Sequence, residues 1–148
     1  MLPITLKKEN AELLVLHNEK LQKETQFIEA NNEDKAAIAV EIESIQTRIT
    51  DLNKVVENQL AAWKQQHGSV FEIGVNDKKA YLKKLSKESL SLALTYLNKD
   101  NVKFAESVFE NNAIGGDVEM IDDTDYVPGI IEECLNIVMT ARSYYTKH

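Results

Sequence analysis

The chain has a single cysteine, Cys134, which excludes an internal disulfide and any cysteine-based zinc site. That scarcity fits a reducing compartment. Histidine is almost as scarce. His17, His67 and His148 stand far apart, and none lies at metal-ligand spacing from a second ligand. Long apolar runs are missing too. The longest, Ala36-Ala37-Ile38-Ala39-Val40, falls far short of the roughly 20 residues that a membrane span needs. The segment from Met1 to Lys8 has neither the apolar core nor the small-residue cleavage site of a secretory signal. A cytoplasmic protein with no membrane partner is the expectation. Basic charge is also in deficit, with 17 Lys and Arg against 24 Asp and Glu. Residues 1–67 hold 8 basic and 11 acidic side chains, and residues 68–148 hold 9 and 13. Both halves repel a phosphate backbone, so nucleic acid is not an expected partner.

What is present begins with helix. From Leu6 to Ile28 there is no Gly or Pro, and Glu, Lys, Gln and Leu dominate. Leu14, Leu21 and Ile28 recur every seven residues with Leu13 beside the first, while the companion row holds Asn10, His17 and Glu24. The stripe is narrow. Ala30-Asn31-Asn32-Glu33-Asp34 is the one plausible break before Gly68, since Asn both ends and caps helices. It gives an antiparallel hairpin of two long helices, or one continuous helix if the break is not taken. The second helix has the cleanest period in the chain. Ile38, Ile42, Ile45, Ile49, Leu52 and Val56 step by 4, 3, 4, 3 and 4, and Trp63 continues the row. Such a seam requires a cover, from the first helix, a second copy or a partner protein.

After His67-Gly68 the period changes to two. Phe71, Ile73 and Val75 alternate with Val70, Glu72 and Gly74, and Ala80 and Leu82 alternate across the turn Asn76-Asp77. The pattern predicts a β-hairpin, which needs helices to lie on. Ser86 predicts an N-cap for a short helix with Leu90, Ala93, Leu94 and Leu97 on one face. Asn98 to Asn101 breaks it, and a second short helix carries Val102, Ala105, Val108 and Phe109. A loop is expected from Ala113 to Asp117. Thr124 or Asp125 can cap a last helix whose apolar face holds Val127, Ile130, Ile131, Cys134, Leu135, Val138 and Tyr145. The fold class is therefore α+β and mostly α. Residues 1–67 form a helical hairpin or coiled coil, and residues 68–148 form a β-hairpin packed on three shorter helices.

No catalytic set emerges, so no enzyme and no cofactor are expected. The acidic stretch fails as an EF-hand, because position 5 is Ile121 when the loop starts at Asp117 and Val127 when it starts at Asp123. Gly115-Gly116 lacks the Lys-Ser/Thr of a phosphate loop and instead implies positive φ or close backbone approach. Cys134 sits on an apolar helix face, as a structural thiol does. Lys78, Lys79, Lys83, Lys84 and Lys87 form a basic ribbon that reads as an exposed strand edge guarded against self-pairing. The same ribbon could dock an acidic surface, or nucleic acid in a third reading.

One resemblance goes further. Trp63-Lys64-Gln65-Gln66-His67-Gly68 runs into Val70-Phe71-Glu72-Ile73, and Lys79-Ala80-Tyr81-Leu82-Lys83-Lys84 follows. The helix from Ser86 to Leu97, Asn111-Asn112-Ala113-Ile114-Gly115-Gly116-Asp117 and Asp122-Asp123 complete the order. Over about residues 63–147 this resembles the small phage and prophage proteins of the tail-assembly-chaperone type. It departs from their pattern at Leu85, where a proline is usual, and at Asn112-Ala113, where a cysteine and an aromatic often stand. The resemblance implies binding without catalysis: a phage assembly protein that keeps a long helical, tape-measure-like client in solution. Ile38, Ile42, Ile45, Ile49, Leu52, Val56 and Trp63 are the expected partner-binding row, read as helix-in-groove anchors. Ile114, Gly115, Gly116 and Asp117 are the motif loop. The alternative is a coiled-coil scaffolding or virion protein that forms a homo-oligomer and has no client.

Overall fold

The computed structural model describes residues 5–146, with side chains through residue 140. Helices α1 (Lys7–Glu29) and α2 (Asn32–His67) form the antiparallel hairpin. The chain reverses over Ala30 and Asn31, and the Asn31 side chain accepts from the Asp34 amide at 2.9 Å, so the cap is local and leaves no continuous helix. Gly68 ends α2 with a φ of 84°, a conformation that a residue without Cβ adopts readily.

Strands β1 (Val70–Val75) and β2 (Lys78–Lys83) pair antiparallel around Asn76-Asp77, with Ile73 opposite Ala80 and Phe71 opposite Leu82. Asn76 takes a φ of 55°, as the first residue of a tight hairpin turn must. Helix α3 (Lys87–Tyr96) is capped by Ser86, whose hydroxyl accepts from the Ser89 amide at 3.1 Å. Helix α4 (Asn101–Asn112) is capped by Asp100. A third strand, β3 (Ala113–Gly116), a short 3-10 helix (Val118–Asp122) and α5 (Val127–Thr146) complete the chain. The fold is α+β and mostly helical.

Several expectations change here. Residues 113–116 are a strand and not a loop, because β3 pairs with β2 and turns the hairpin into a three-stranded sheet of order β1-β2-β3. β2 is consequently the central strand, and its lysines do not guard an edge. Lys79 pairs with Glu72 at 3.4 Å, and the Lys78 ammonium lies 4.9 Å from the centre of the Tyr126 ring. Val102 is exposed, and Phe104 takes its place in the core. Neither Thr124 nor Asp125 is the acceptor before α5; the Asp123 carboxylate accepts from the Asp125 amide at 3.0 Å. Tyr145 and His148 lie outside the described side chains.

The sheet is covered on both faces. Ile73, Ala80 and Leu82 point into a core with Leu85, Leu90, Phe104, Val108, Phe109, Met120, Ile130, Cys134 and Val138. Tyr81 points the other way and meets Leu6 and Trp63, joined by Val56, Leu60, Val70 and Ile114. The foot of the helical hairpin is thus bolted to the outer face of the sheet. The layers run helices, sheet, helical hairpin.

Candidate functional site

The row expected to bind a partner is already engaged by α1. Ile45 and Ile49 are buried against Leu16, with Leu13 and Leu52 packed alongside. Ile38 and Ile42 are half-buried. Val56 and Trp63 belong to the foot, where the Trp63 and Tyr81 ring centroids lie 5.5 Å apart. The structure therefore brings Ile45, Ile49 and Leu52 together, and it separates them from Val56 and Trp63.

The cover that α1 supplies is thin. Toward its C-terminal end it sets Lys20 on Gln46 at 2.7 Å and Lys23 on Glu41 at 2.5 Å. Phe27 lies under the Lys35 ammonium at 5.4 Å. Near its start, one carboxylate oxygen of Glu9 is buried with no hydrogen-bond partner among the described residues. Long lysine stems shield apolar surface while their charges stay wet, but they add little specific packing.

The heptad row read from the sequence of α1 faces outward. Leu14 is 42% exposed, Leu21 63% and Ile28 77%. Leu6, Leu13, Leu16 and Phe27 turn inward instead. The rotation is set at the foot. Leu6 is fully buried, in a left-handed conformation (φ 70°) that costs an L-residue about 1–2 kcal/mol. Burying a leucine side chain offsets that with roughly 1.5–3 kcal/mol. Asn10 donates to the Tyr81 hydroxyl at 3.0 Å, and Lys7 pairs with Glu119. This pairing raises the Lys7 ammonium and lowers the Glu119 carboxyl from their ordinary values, through the hydrogen bond first.

The motif Ile114, Gly115, Gly116, Asp117 builds this junction and offers no ligand groups of its own. Ile114 packs in the foot cluster. A Cβ on Gly115 would overlap the Trp63 indole and the Thr5 carbonyl, so only glycine permits the close approach. The Gly116 amide donates to the Thr5 carbonyl at 2.6 Å, and Gly116 has a φ of 81°. The Asp117 carboxylate accepts from the Lys79 amide at 3.2 Å while the Asp117 amide donates to the Lys79 carbonyl at 2.8 Å.

Among the described residues no group of three or more His, Cys, Asp and Glu could hold a metal, and no helix is long and apolar enough to cross a membrane. Burial pushes the Cys134 thiol up to about 12, with the neighbouring charge of Glu133 adding to it, so the reactive thiolate is strongly disfavoured. The Ser86 hydroxyl is committed to its helix cap. No protein-family model, no curated protein and no solved structure matches the chain.

Proposed function

We propose that this chain is a non-enzymatic, cytoplasmic assembly protein that binds a long helical client, in the manner of a tail-assembly chaperone. One observation carries the reading, beside the resemblance over residues 63–147. The α2 row from Ile38 to Leu52 is covered by a helix that gives it mainly Leu13, Leu16, Phe27 and lysine stems. A client helix with apolar anchors at i, i+3, i+4 and i+7 fills the same groove better and displaces the distal half of α1. The foot, with Leu6, Trp63 and Tyr81, stays in place as the hinge of that exchange. Nucleic acid and membrane are not partners in this reading, and no cofactor takes part.

The test is a photo-crosslinker at Ile42, which is only half-buried, in protein co-expressed with its own genomic neighbourhood. Crosslinks to a long, Ala- and Leu-rich helical protein support the exchange. Crosslinks confined to α1 of the same chain overturn it. The alternative, a coiled-coil structural protein without a client, draws on the opposite face of α1.

A further inference from the structure

The outward face of α1 is a seam of its own. Ala11, Leu14, Asn18, Leu21, Thr25 and Ile28 step by 3, 4, 3, 4 and 3, and all six are exposed. Large residues occupy every second place, and short ones lie between. The Thr25 hydroxyl already donates to the Leu21 carbonyl at 3.1 Å, so covering it strands no donor. From Ala11 to Ile28 the seam runs about 27 Å at 1.5 Å per residue.

We infer that this face pairs with the same face of a second copy, antiparallel, about a two-fold axis between Asn18 and Leu21. Register favours this pairing. In an antiparallel pair with Asn18 opposite the second copy's Leu21, Leu14 falls opposite Thr25 and Ala11 opposite Ile28. Every layer then joins one large and one short side chain, so facing layers interdigitate, and the flanking charges choose among the antiparallel registers that share this feature. The flanking positions agree. On one side His17 faces Glu24; on the other, Lys8 faces Glu29 and Val15 faces Gln22, while Asn10 takes no part because it is held by the Tyr81 hydroxyl at the foot. The two-fold repeats each contact, so the surface is self-complementary in the sense an isologous dimer requires.

Antiparallel alignments one heptad away keep the large-with-short layers but lose the flanking charge match. Sliding one copy by a heptad sets His17 against His17, or Glu24 against Glu24. A parallel pair sets Glu24 beside Glu29, where like charges oppose association. Lys8 and Glu29 lie at opposite ends of the helix and do not pair with each other within one chain. Their placement gains a purpose only across the dimer. This inference does not rest on the client reading, which uses the other face of α1.

A paired helix face of this length is near the lower limit of specific interfaces, so the expected dissociation constant is in the micromolar range, about 10 μM. Sedimentation of the full chain from about 1 μM to about 1 mM therefore shows a shift from the 16.8 kDa monomer to twice that mass. Leu21→Lys abolishes the shift and leaves the circular dichroism unchanged, since Leu21 is exposed. Lys8→Glu weakens dimerisation roughly tenfold, and Lys8→Glu with Glu29→Lys restores it. An equal mixture of Asn18→Cys and Leu21→Cys proteins forms the mixed disulfide on mild oxidation, with buried Cys134 outside the reaction. A chain that stays monomeric throughout, a dimer indifferent to Leu21→Lys, or homodisulfides in excess of the mixed one each overturns the proposal.

Discussion

The segment after Gly68 and the helical hairpin before it are built on different scales. In the body, sixteen buried side chains from Ile73 to Val138 form one connected core. Between α1 and α2 only Leu16, Ile45 and Ile49 are buried together. The body is held by packing in three dimensions, and the hairpin by one seam, a foot and a two-residue turn. Local stability follows buried apolar contact, so the distal hairpin sits at the low end of the opening energies and the body near the global value. Where a protein must exchange partners, that is the end at which exchange is cheapest.

The widest gap between the regions appears on removing one core side chain from each. Phe104 is fully buried, and Phe104→Ala is expected to cost about 3–5 kcal/mol, enough to unfold much of a small domain. Ile49→Ala, at a position 2% exposed, costs about 2–4 kcal/mol but spends it on the hairpin. Cys134 separates the two outcomes, because its buried thiol reacts with an alkylating reagent only when the body opens. Labelling should accelerate by orders of magnitude in Phe104→Ala and hardly at all in Ile49→Ala. Equal acceleration in both variants means hairpin and body unfold as a single unit, and the contrast disappears.

Next in size is the junction itself. Gly115→Ala drives a methyl into Trp63 and the Thr5 carbonyl, for an expected loss of about 1–3 kcal/mol. Trp63 is the sole tryptophan, so its fluorescence reports the foot alone. The variant should show Trp63 fluorescence changing at lower denaturant than the far-ultraviolet dichroism. Coincident transitions at the wild-type midpoint contradict the close approach. A smaller effect belongs to the tip: Asn31→Ala removes the α2 cap and costs about 1 kcal/mol. Hydrogen exchange should quicken at the first turn of α2 while α4 and α5 keep their protection.

The legible and illegible parts of the fold divide along the same line. Signals confined to a few neighbouring residues could be read: the Ser86 cap, the Asn76-Asp77 turn, and the alternation that sets β1 and β2 to the residue, whereas the break at Ala30 to Asp34 left a hairpin and one continuous helix both open. β3 was not legible. Ala113-Ile114-Gly115-Gly116 has no alternation, and it is a strand only because β2 and Thr5 supply its partners. The rotation of α1 was hidden for a related reason. Both of its rows carry leucines, and Leu6, outside the periodic stretch, decides between them by entering the Trp63–Tyr81 cluster. A hint existed in Leu13, Leu16, Lys20, Lys23 and Phe27, which step by 3, 4, 3 and 4. For the candidate site, the α2 row was legible as a seam. Its cover was not, since covering is a property of two helices at once.

The gentlest test lies within the body. The Tyr126 hydroxyl, at the entry to α5, donates to the Asp77 carboxylate in the β1–β2 turn at 2.7 Å. That bond, ahead of burial and the charges of Asp77, Asp123 and Asp125, pushes the phenol up to about 12, and it lowers the Asp77 carboxyl. A raised phenol contributes its stabilisation fully below the unfolded value of about 10 and loses it as pH rises through about 12. A lowered carboxyl contributes above its ordinary 3.8 and loses it as pH falls through its depressed value. The tie is therefore intact across the neutral range and opens only at the two extremes. Because both groups are exposed, the readout is the titration and not the melting temperature. Ring-carbon NMR should place the Tyr126 midpoint near 12, and Asp77→Asn should bring it down toward 10. Ile49→Ala should leave it where it was, because the tie joins two elements of the body and neither helix of the hairpin. A midpoint that moves with Ile49→Ala shows that loosening the seam reaches the sheet through the foot, and the two regions are then one cooperative structure.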